Sequence, residues 1–242
     1  MVYRLSGGEC GTLTKKEGMR RKENMGYNVA IDGPAGAGKS TIAKLVAKKK
    51  GYIYVDTGAM YRALALCFLD AGIAPGETQR MISACEDAVV SIRYENGVQQ
   101  VYLNGRNVTS RIREEAVGNM ASVSSAVPQV RAKLLELQRE LAEREDVIMD
   151  GRDIGTNILP HADVKIYLTA SVATRARRRY DELREKGEEC DYEEIARDIQ
   201  ERDERDMNRE TAPLKKAEDA VLIDSSEMTI EEVAAEIIQY CR

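Results

Sequence analysis

NVAIDGPAGAGKSTIAKLVAKKKG, residues 28–51, joins a short apolar run to a helical pattern through a turn rich in glycine. Val29, Ala30 and Ile31 read as a buried strand, and Ile42, Leu45 and Val46 give the second half an apolar face that stops at Gly51. Between them, Gly33, Pro34, Ala35, Gly36, Ala37, Gly38, Lys39 and Ser40 fit GxxxxGK(S/T) without a mismatch, and Thr41 follows. The glycines let successive backbone N–H groups point into one nest for phosphate oxygens, to which the following helix adds its positive end. Lys39 then reaches the β- and γ-phosphates of ATP, and the Ser40 hydroxyl is left to bind Mg²⁺. A glycine-rich turn that merely precedes a helix is the bland alternative. Strand, loop and helix in this order argue against it.

The motif points to a P-loop fold, which hosts kinases, GTPases, motors and helicases. No NKxD motif for reading guanine is present. Motors and helicases need a larger core and a nucleic-acid surface, whereas a small-molecule kinase needs only an acceptor pocket and charged lids. The remaining chain fits an α/β architecture. YIYVD reads as a second strand and TGAMYRALALCFLDAG as a helix closed by Gly72. VIMDG, VKIYLT and VLIDS supply three more apolar strands, so a five-stranded parallel sheet flanked by helices is expected. VVSIRYENGVQQVYLNGRNVT interrupts that rhythm. Its alternating runs meet at Asn96-Gly97 and Asn104-Gly105, which predicts a small inserted antiparallel meander over about residues 88–109. Helical patterns follow over 110–123 and 128–145.

A chain of 242 residues with 43% hydrophobic and 32% charged residues suits one large globular domain. The formal charge of -5 argues against a general nucleic-acid binder. The 5 cysteines are scattered without a CxxC pair, which predicts reduced thiols in a cytoplasmic protein and no zinc site. No membrane span or signal peptide is expected. Residues 1–26 read as a disordered or mis-annotated extension, with Met25 as the natural start because Arg20-Arg21 could translate a ribosome-binding AGGAGG. Residues 27–242 read as a single domain.

Ligands of such sheets gather at the carboxyl ends of the strands. Asp56 and Asp150 close two strands there, and Arg152 and Asp153 lie just beyond. An apolar run ending in Asp150 is the Walker B pattern, whose carboxylate supports Mg²⁺ directly or through water. Asp32, directly before the loop, is another candidate acid at the acceptor. ERDERDMNRETAPL, residues 201–214, poses a sharper question. Tyr192, Ile195 and Ile199 form an apolar stripe that, continued, passes through Arg202, Asp206 and Arg209, with Arg205 one turn before Arg209. Such an end either leaves the core or faces an anion. Asp203 and Glu204 are expected to stay solvated.

IDGPAGAGKST, DTGAMYRALAL, DGRDIGT, VKIYLTAS and ERDERDMNRETAPLKKAEDAVLIDSS occur in the order of bacterial cytidylate kinases, which the chain resembles from about Asn28 to its C-terminus. The resemblance implies transfer of the γ-phosphoryl group of ATP, with Mg²⁺, to CMP or dCMP, and a monomer without nucleic-acid or membrane partners is expected. It places Thr57, Arg62, Ser122 and Arg131 by the acceptor nucleotide, in an acceptor region over 57–131. Arg152 joins Arg62 on the acceptor phosphate, and Asp153 faces the base. Arg202 and Asp206 contact the sugar, Arg209 the phosphate, and Arg205 stands near the transferring group. In related kinases, arginines such as Arg175 and Arg179 meet ATP phosphates from a helical lid, here about 175–210; basic helix surfaces are the alternative. Another P-loop kinase, or an ATP-binding module without turnover, are the competing readings.

Overall fold

Each of the five apolar runs is a strand, and together they form one parallel sheet. The computed structural model describes residues 2–3 and 26–242. Along the chain these begin with β1 (Val2–Tyr3), β2 (Asn28–Asp32), α1 (Lys39–Lys50), β3 (Ile53–Asp56), α2 (Thr57–Asp70) and α3 (Thr78–Asp87). Next come β4 (Val90–Glu95), β5 (Val98–Leu103), β6 (Arg106–Asn107), α4 (Glu115–Ser124), α5 (Pro128–Arg144) and β7 (Val147–Gly151). The chain ends through β8 (Val164–Thr169), α6 (Val172–Glu185), α7 (Tyr192–Asn208), β9 (Val221–Asp224) and α8 (Ile230–Tyr240).

These elements divide into two units, Met1–Asn28 with Thr57–Val147 and Val29–Asp56 with Ile148–Arg242. In the first unit, α2 is apolar on nearly every side, and Met60, Leu64, Leu66 and Phe68 are fully buried. Burying side chains of this size stabilises by about 2 kcal/mol each. The helices α4 and α5 pack on α2, as does strand β5. The predicted meander is present, with β5 paired antiparallel to both β4 and β6. Its two tight turns have φ values of 52° and 76° at Asn96-Gly97 and of 49° and 80° at Asn104-Gly105. Two consecutive positive φ angles are what a two-residue hairpin turn requires, and Asn-Gly adopts them at low cost. β1 adds to the free edge of β4, pairing Val2 with Arg93 and Tyr3 with Ile92. The rest of the reading of residues 1–26, including Met25 as a start, lies outside the described residues. Among the described residues Cys67, Cys85, Cys190 and Cys241 are free thiols, and no helix is long and apolar enough to cross a membrane.

The sheet has the order β3-β7-β2-β8-β9. β2 is therefore central, and the chain leaves it first to one side and later to the other. That reversal is where ligands of open α/β sheets collect. All five residues of β2 are buried. α8 begins with a reciprocal capping box between Thr229 and Glu232 and packs against α1.

Asp32 ends β2, and the structure commits it to the scaffold rather than to an acceptor. Its carboxylate accepts from the N–H groups of Ile154 and Gly155, both at 2.7 Å. Those donors open a single π-helical turn, Ile154–Ile158, that follows β7 and was not expected from the sequence. Gly155 fits there because an added Cβ would meet Lys165 at 3.1 Å and the Asp32 carboxylate at 3.4 Å. Burial pushes the Asp32 pKa from 3.8 up to about 6, opposed by the two backbone bonds and Lys39 and reinforced by Asp153. A carboxyl whose pKa is raised on folding contributes stability that is fully present below the unfolded value and lost as pH rises through the folded one. Two units correspond to about 3 kcal/mol. The destabilisation caused by Asp32→Asn should accordingly be larger near pH 4 than near pH 7.5, the gap in thermal midpoint shrinking by several degrees. Thermal unfolding of both proteins at the two pH values checks this, and a gap that widens with pH would contradict it.

Candidate active site

The loop between β2 and α1 owes its path to glycine at three places. Gly33, Gly36 and Gly38 have φ angles of 152°, 74° and 81°, which side-chain-bearing residues rarely adopt. Gly33 is also pressed against β8, where an added Cβ would lie only 1.9 Å from the Leu168 carbonyl oxygen. Gly38 takes the N-cap position of α1, so no side chain covers the first N–H groups, and the first turn carries no acid. A helix start with uncapped donors and no competing carboxylate is an anion site.

Lys39 is 6% exposed and its ammonium donates to the Pro34 carbonyl oxygen at 2.7 Å. Burial, then the charge of Arg152, hold its pKa well below the ordinary lysine value, and Arg202 acts in the same sense against Asp150 and Asp32. Lys39, Arg152 and Arg202 thus crowd together in spite of mutual repulsion.

Ser40 and Asp150 meet at the base of the loop, the hydroxyl donating to the carboxylate at 2.8 Å. On the other carboxylate oxygen, Tyr54 donates its hydroxyl at 2.9 Å. Burial, followed by the charge of Asp56, raises the Asp150 pKa to about 6, against Lys39 and the two hydroxyl donors. Burial and the charges of Asp150 and Asp56 push the Tyr54 phenol far upward, so it remains a protonated donor. Tyr54 was missed in the sequence. The signal was period-two alternation in YIYVD, which puts Tyr54 and Asp56 on one side of β3. A hard cation accepts hydroxyl and carboxylate oxygens, and Mg²⁺ in particular uses one or two carboxylates and lets phosphates and water complete its shell. Ser40 and Asp150 fit that need; no group of three acids, histidines or cysteines stands together among the described residues.

The end of α7 carries the remaining charges. Arg152 donates through Nε to Asp206 at 2.8 Å, and Arg209 lies 3.3 Å from Asp153. Arg209 also donates to the Ala212 carbonyl oxygen, and Asn157 holds the second Asp153 oxygen. Burial acts to raise the Asp206 pKa, but the charges of Arg152 and Arg202 outweigh it and leave the carboxyl below its usual range. Asp206 and Asp153 are 5% and 3% exposed, so this charged end does face inward.

One expectation needs correction. Asp203 is not solvated. It is 6% exposed and lies 2.6 Å from Arg175, because α7 turns so that Ile199, Asp203 and Asp206 share the inner face. Arg175 itself is 4% exposed, which removes the helix-surface alternative for it, and its donors meet the carbonyl oxygens of Ala35 and Ala170. Arg205 is not drawn into the charged cluster. It is exposed, with Glu201 one turn back at 3.9 Å. Arg179 is likewise at the surface, paired with Glu182 at 3.0 Å.

In the first unit, Arg62 reaches from α2 to the Ile112 carbonyl oxygen at 3.2 Å and packs against Gly118 of α4. Arg131 is buried, lies over the Tyr61 ring and donates to the Ser125 carbonyl oxygen. The Ser125 hydroxyl donates in turn to the carbonyl of Ser122, whose own hydroxyl is buried without a hydrogen-bond partner. Thr57 is buried at the start of α2. Arg131 and Ser122 thus stand near α2, and the Ser122 and Ser124 hydroxyls and the Gln138 amide oxygen of this unit are buried without a hydrogen-bond partner.

The chain as a whole is similar to known proteins. The family model for cytidylate kinase matches residues 29–242. A cytidylate kinase from Caldicellulosiruptor saccharolyticus is 50% identical over 212 residues, covering 88% of this chain and 94% of the relative. One from Geobacillus thermodenitrificans is 50% identical over 211 residues, with coverage of 87% and 94%. Among solved structures, an uncharacterised protein from Eubacterium ventriosum aligns at a TM-score of 0.50 with 14% identity, covering 88% of this chain and 97% of its own. That last likeness shows the fold alone.

Gly33→Ala tests the loop geometry. Its methyl group would overlap the Leu168 carbonyl oxygen in a backbone conformation unsuited to alanine, at an expected cost of about 3 kcal/mol or more. The thermal midpoint should fall by roughly 6 °C or more. An unchanged midpoint would mean that the loop does not hold this path.

Proposed function

The chain belongs to the cytidylate kinase family, and we propose that it transfers the γ-phosphoryl group of ATP to CMP or dCMP, giving ADP and CDP or dCDP. One observation carries this reading beyond the family match. A buried lysine at a glycine-built anion nest stands beside Arg152 and Arg202, with a carboxylate and a hydroxyl paired beneath it.

Phosphoryl transfer asks little covalent help from a protein; it needs two polyanions held in line and charge absorbed as the bond shifts. The loop amides and Lys39 hold the donor phosphates. Ser40 and Asp150 would hold Mg²⁺, directly or through water, and the ion would supply neutralisation of the phosphate oxygens. Arg152 and Arg209, oriented by Asp206 and Asp153, present guanidinium groups of fixed direction to phosphate, a geometry that lysine would not reproduce. For the acceptor, we assign Thr57, Arg62, Ser122 and Arg131, together with Arg152, Asp153, Arg202, Asp206 and Arg209. Arg62 and Arg152 serve the phosphate, Arg202 and Asp206 the sugar. Cytosine offers an N4 amino donor where uracil has a carbonyl, so the Asp153 carboxylate and the Ser122 hydroxyl favour the first base and leave the second facing lone pairs.

An ADP-release assay with CMP, dCMP, UMP, AMP and shikimate tests the reading. Turnover should be highest with CMP or dCMP, and Lys39→Ala should lower kcat on the order of a hundredfold or more. Highest activity with another acceptor would overturn the substrate assignment, and an unchanged kcat in the variant would remove Lys39 from the reaction. Asp206→Ala should raise the KM for CMP roughly tenfold while the KM for ATP stays within about twofold. The opposite order would place this carboxylate on the donor side.

A further inference from the structure

Arg175 and Asp203 are among the most deeply buried charges in the molecule, and no step proposed above uses them. They belong to different helices, α6 and α7, and both reach one residue of the loop. Asp203 accepts the Ala35 N–H at 3.2 Å through one carboxylate oxygen and meets Arg175 at 2.6 Å through the other. Arg175 donates to the Ala35 carbonyl oxygen at 2.8 Å and, through Nε, to the Ala170 carbonyl oxygen at 2.9 Å. Its stem lies against Gly36, where an added Cβ would touch the Arg175 Cβ at 3.4 Å. Both peptides flanking Ala35 are therefore held by ionic side chains, the one before it by its N–H and the one after it by its C=O.

We infer that Arg175 and Asp203 form a positioning pair that fixes the conformation of Ala35 and so preorganises the anion-binding loop for the donor nucleotide. A trans peptide directs its C=O and N–H oppositely. Drawing the Ala35 carbonyl onto Arg175 thus aims the Gly36 N–H away from that guanidinium, free for a ligand. Gly36, at φ 74° and without a side chain, has little intrinsic resistance to a peptide flip, so the clamp supplies what the sequence of the loop does not. Asp203 also neutralises Arg175, which leaves the loop and Lys39 as the attraction for phosphate. For stability alone a well-packed apolar pair would serve as well or better than two buried ions. The pair also ties the loop to the α6–α7 hairpin, whose two helices are joined by the Tyr180–Tyr192 edge contact and by Arg177 over both rings. A shift of α7 on α6 is then felt at Ala35.

This rests on the reading of the loop as the ATP phosphate cradle but not on the identity of the acceptor. The test compares the wild-type chain with Asp203→Asn, Arg175→Lys and the double variant Arg175→Met/Asp203→Leu, which removes both charges while keeping apolar volume. Calorimetric titration with MgATP and thermal unfolding are read for each, with the KM for CMP measured alongside. The double variant should keep a thermal midpoint close to wild type, yet bind MgATP about tenfold more weakly, with the KM for CMP within about twofold. Arg175→Lys should recover part of that affinity, since one donor can still reach the Ala35 carbonyl. A stable double variant with wild-type affinity for MgATP would overturn the inference, as would a double variant that fails to fold, because the pair would then be a structural brace. Asp203→Asn leaves a buried arginine unpaired, so a large loss of stability confined to this single variant supports the pairing. A wild-type protein that binds MgATP but phosphorylates neither CMP nor dCMP would sink the proposed function and leave this inference standing.

Discussion

Lys39 places an ammonium group 2.7 Å from the Pro34 carbonyl oxygen in an interior where burial and the charges of Arg152 and Arg202 all act against it. A cation in such a position is costly unless an anion comes to it. The carboxylates that could have neutralised it in contact are engaged elsewhere: Asp32 by two backbone N–H groups, Asp150 by Ser40 and Tyr54, Asp206 by Arg152, Asp153 by Arg209 and Asn157. The arrangement keeps positive charge in one place and holds the negative charge that would quench it at fixed positions around it. That suits a polyanionic ligand, whose phosphates complete the electrostatic balance.

The fold makes this affordable by putting strand ends where the charges are needed. β2 is central, β7 is its neighbour, and β3 lies beyond β7, so Asp32 and Asp56 end their strands and Asp150 stands one residue before the end of the strand between them. Apolar side chains on β2 and β7 anchor those strands, and the acids occupy only their last turns toward the loop. The π-helical turn after β7 then points two N–H groups back at Asp32 and leaves Arg152 and Asp153, on its near side, free to meet Asp206 and Arg209 of the α7 region. Positions that look scattered over 180 residues of sequence are thereby brought to one edge of one sheet.

What the sequence revealed and what it concealed divide along physical lines. The five strands, the loop, the meander and both of its Asn-Gly turns depend on local chemistry: apolar runs, obligatory positive φ and alternation. They were legible for that reason. The partners of charged side chains depend on how helices rotate and meet, and there the reading faltered. Continuing the stripe of α7 by steps of three and four led through Arg202 and missed that the helix also buries Asp203, four residues after Ile199. Both positions satisfy a 3.6-residue period, and the partner that Asp203 meets, Arg175, lies on another helix, α6. Arg205, on the opposite side, stays in solvent for the same geometric reason. α3 and α8 also went unremarked, the first a short helix of mixed polarity and the second one whose capping box, Thr229 with Glu232, was open to inspection. The proposed acceptor residues Ser122 and Arg131 came only from family resemblance, since nothing local distinguishes a serine or arginine that lines a ligand wall from one that caps or covers a helix.

Asp32 and Asp150 show how similar electrostatics can serve different ends. Both are buried at strand ends, and burial raises both to about pH 6. Their donors differ. Asp32 is bound by backbone N–H groups of the turn after β7, which cannot leave without unmaking that turn. Asp150 is bound by the hydroxyls of Ser40 and Tyr54, which can rotate and accept as readily as they donate. Asp150 and the rotatable Ser40 hydroxyl would together offer a cation two oxygens without backbone movement. The elevated pKa also means that the carboxylate there is poorly solvated and gains more from a cation than a hydrated one would. The same elevation at Asp32 gains nothing from a ligand and is simply the cost of anchoring the loop's entry strand to the turn that carries Asp153. Donor type, side chain against backbone, is what separates a carboxylate open to a cation from a strut beside it.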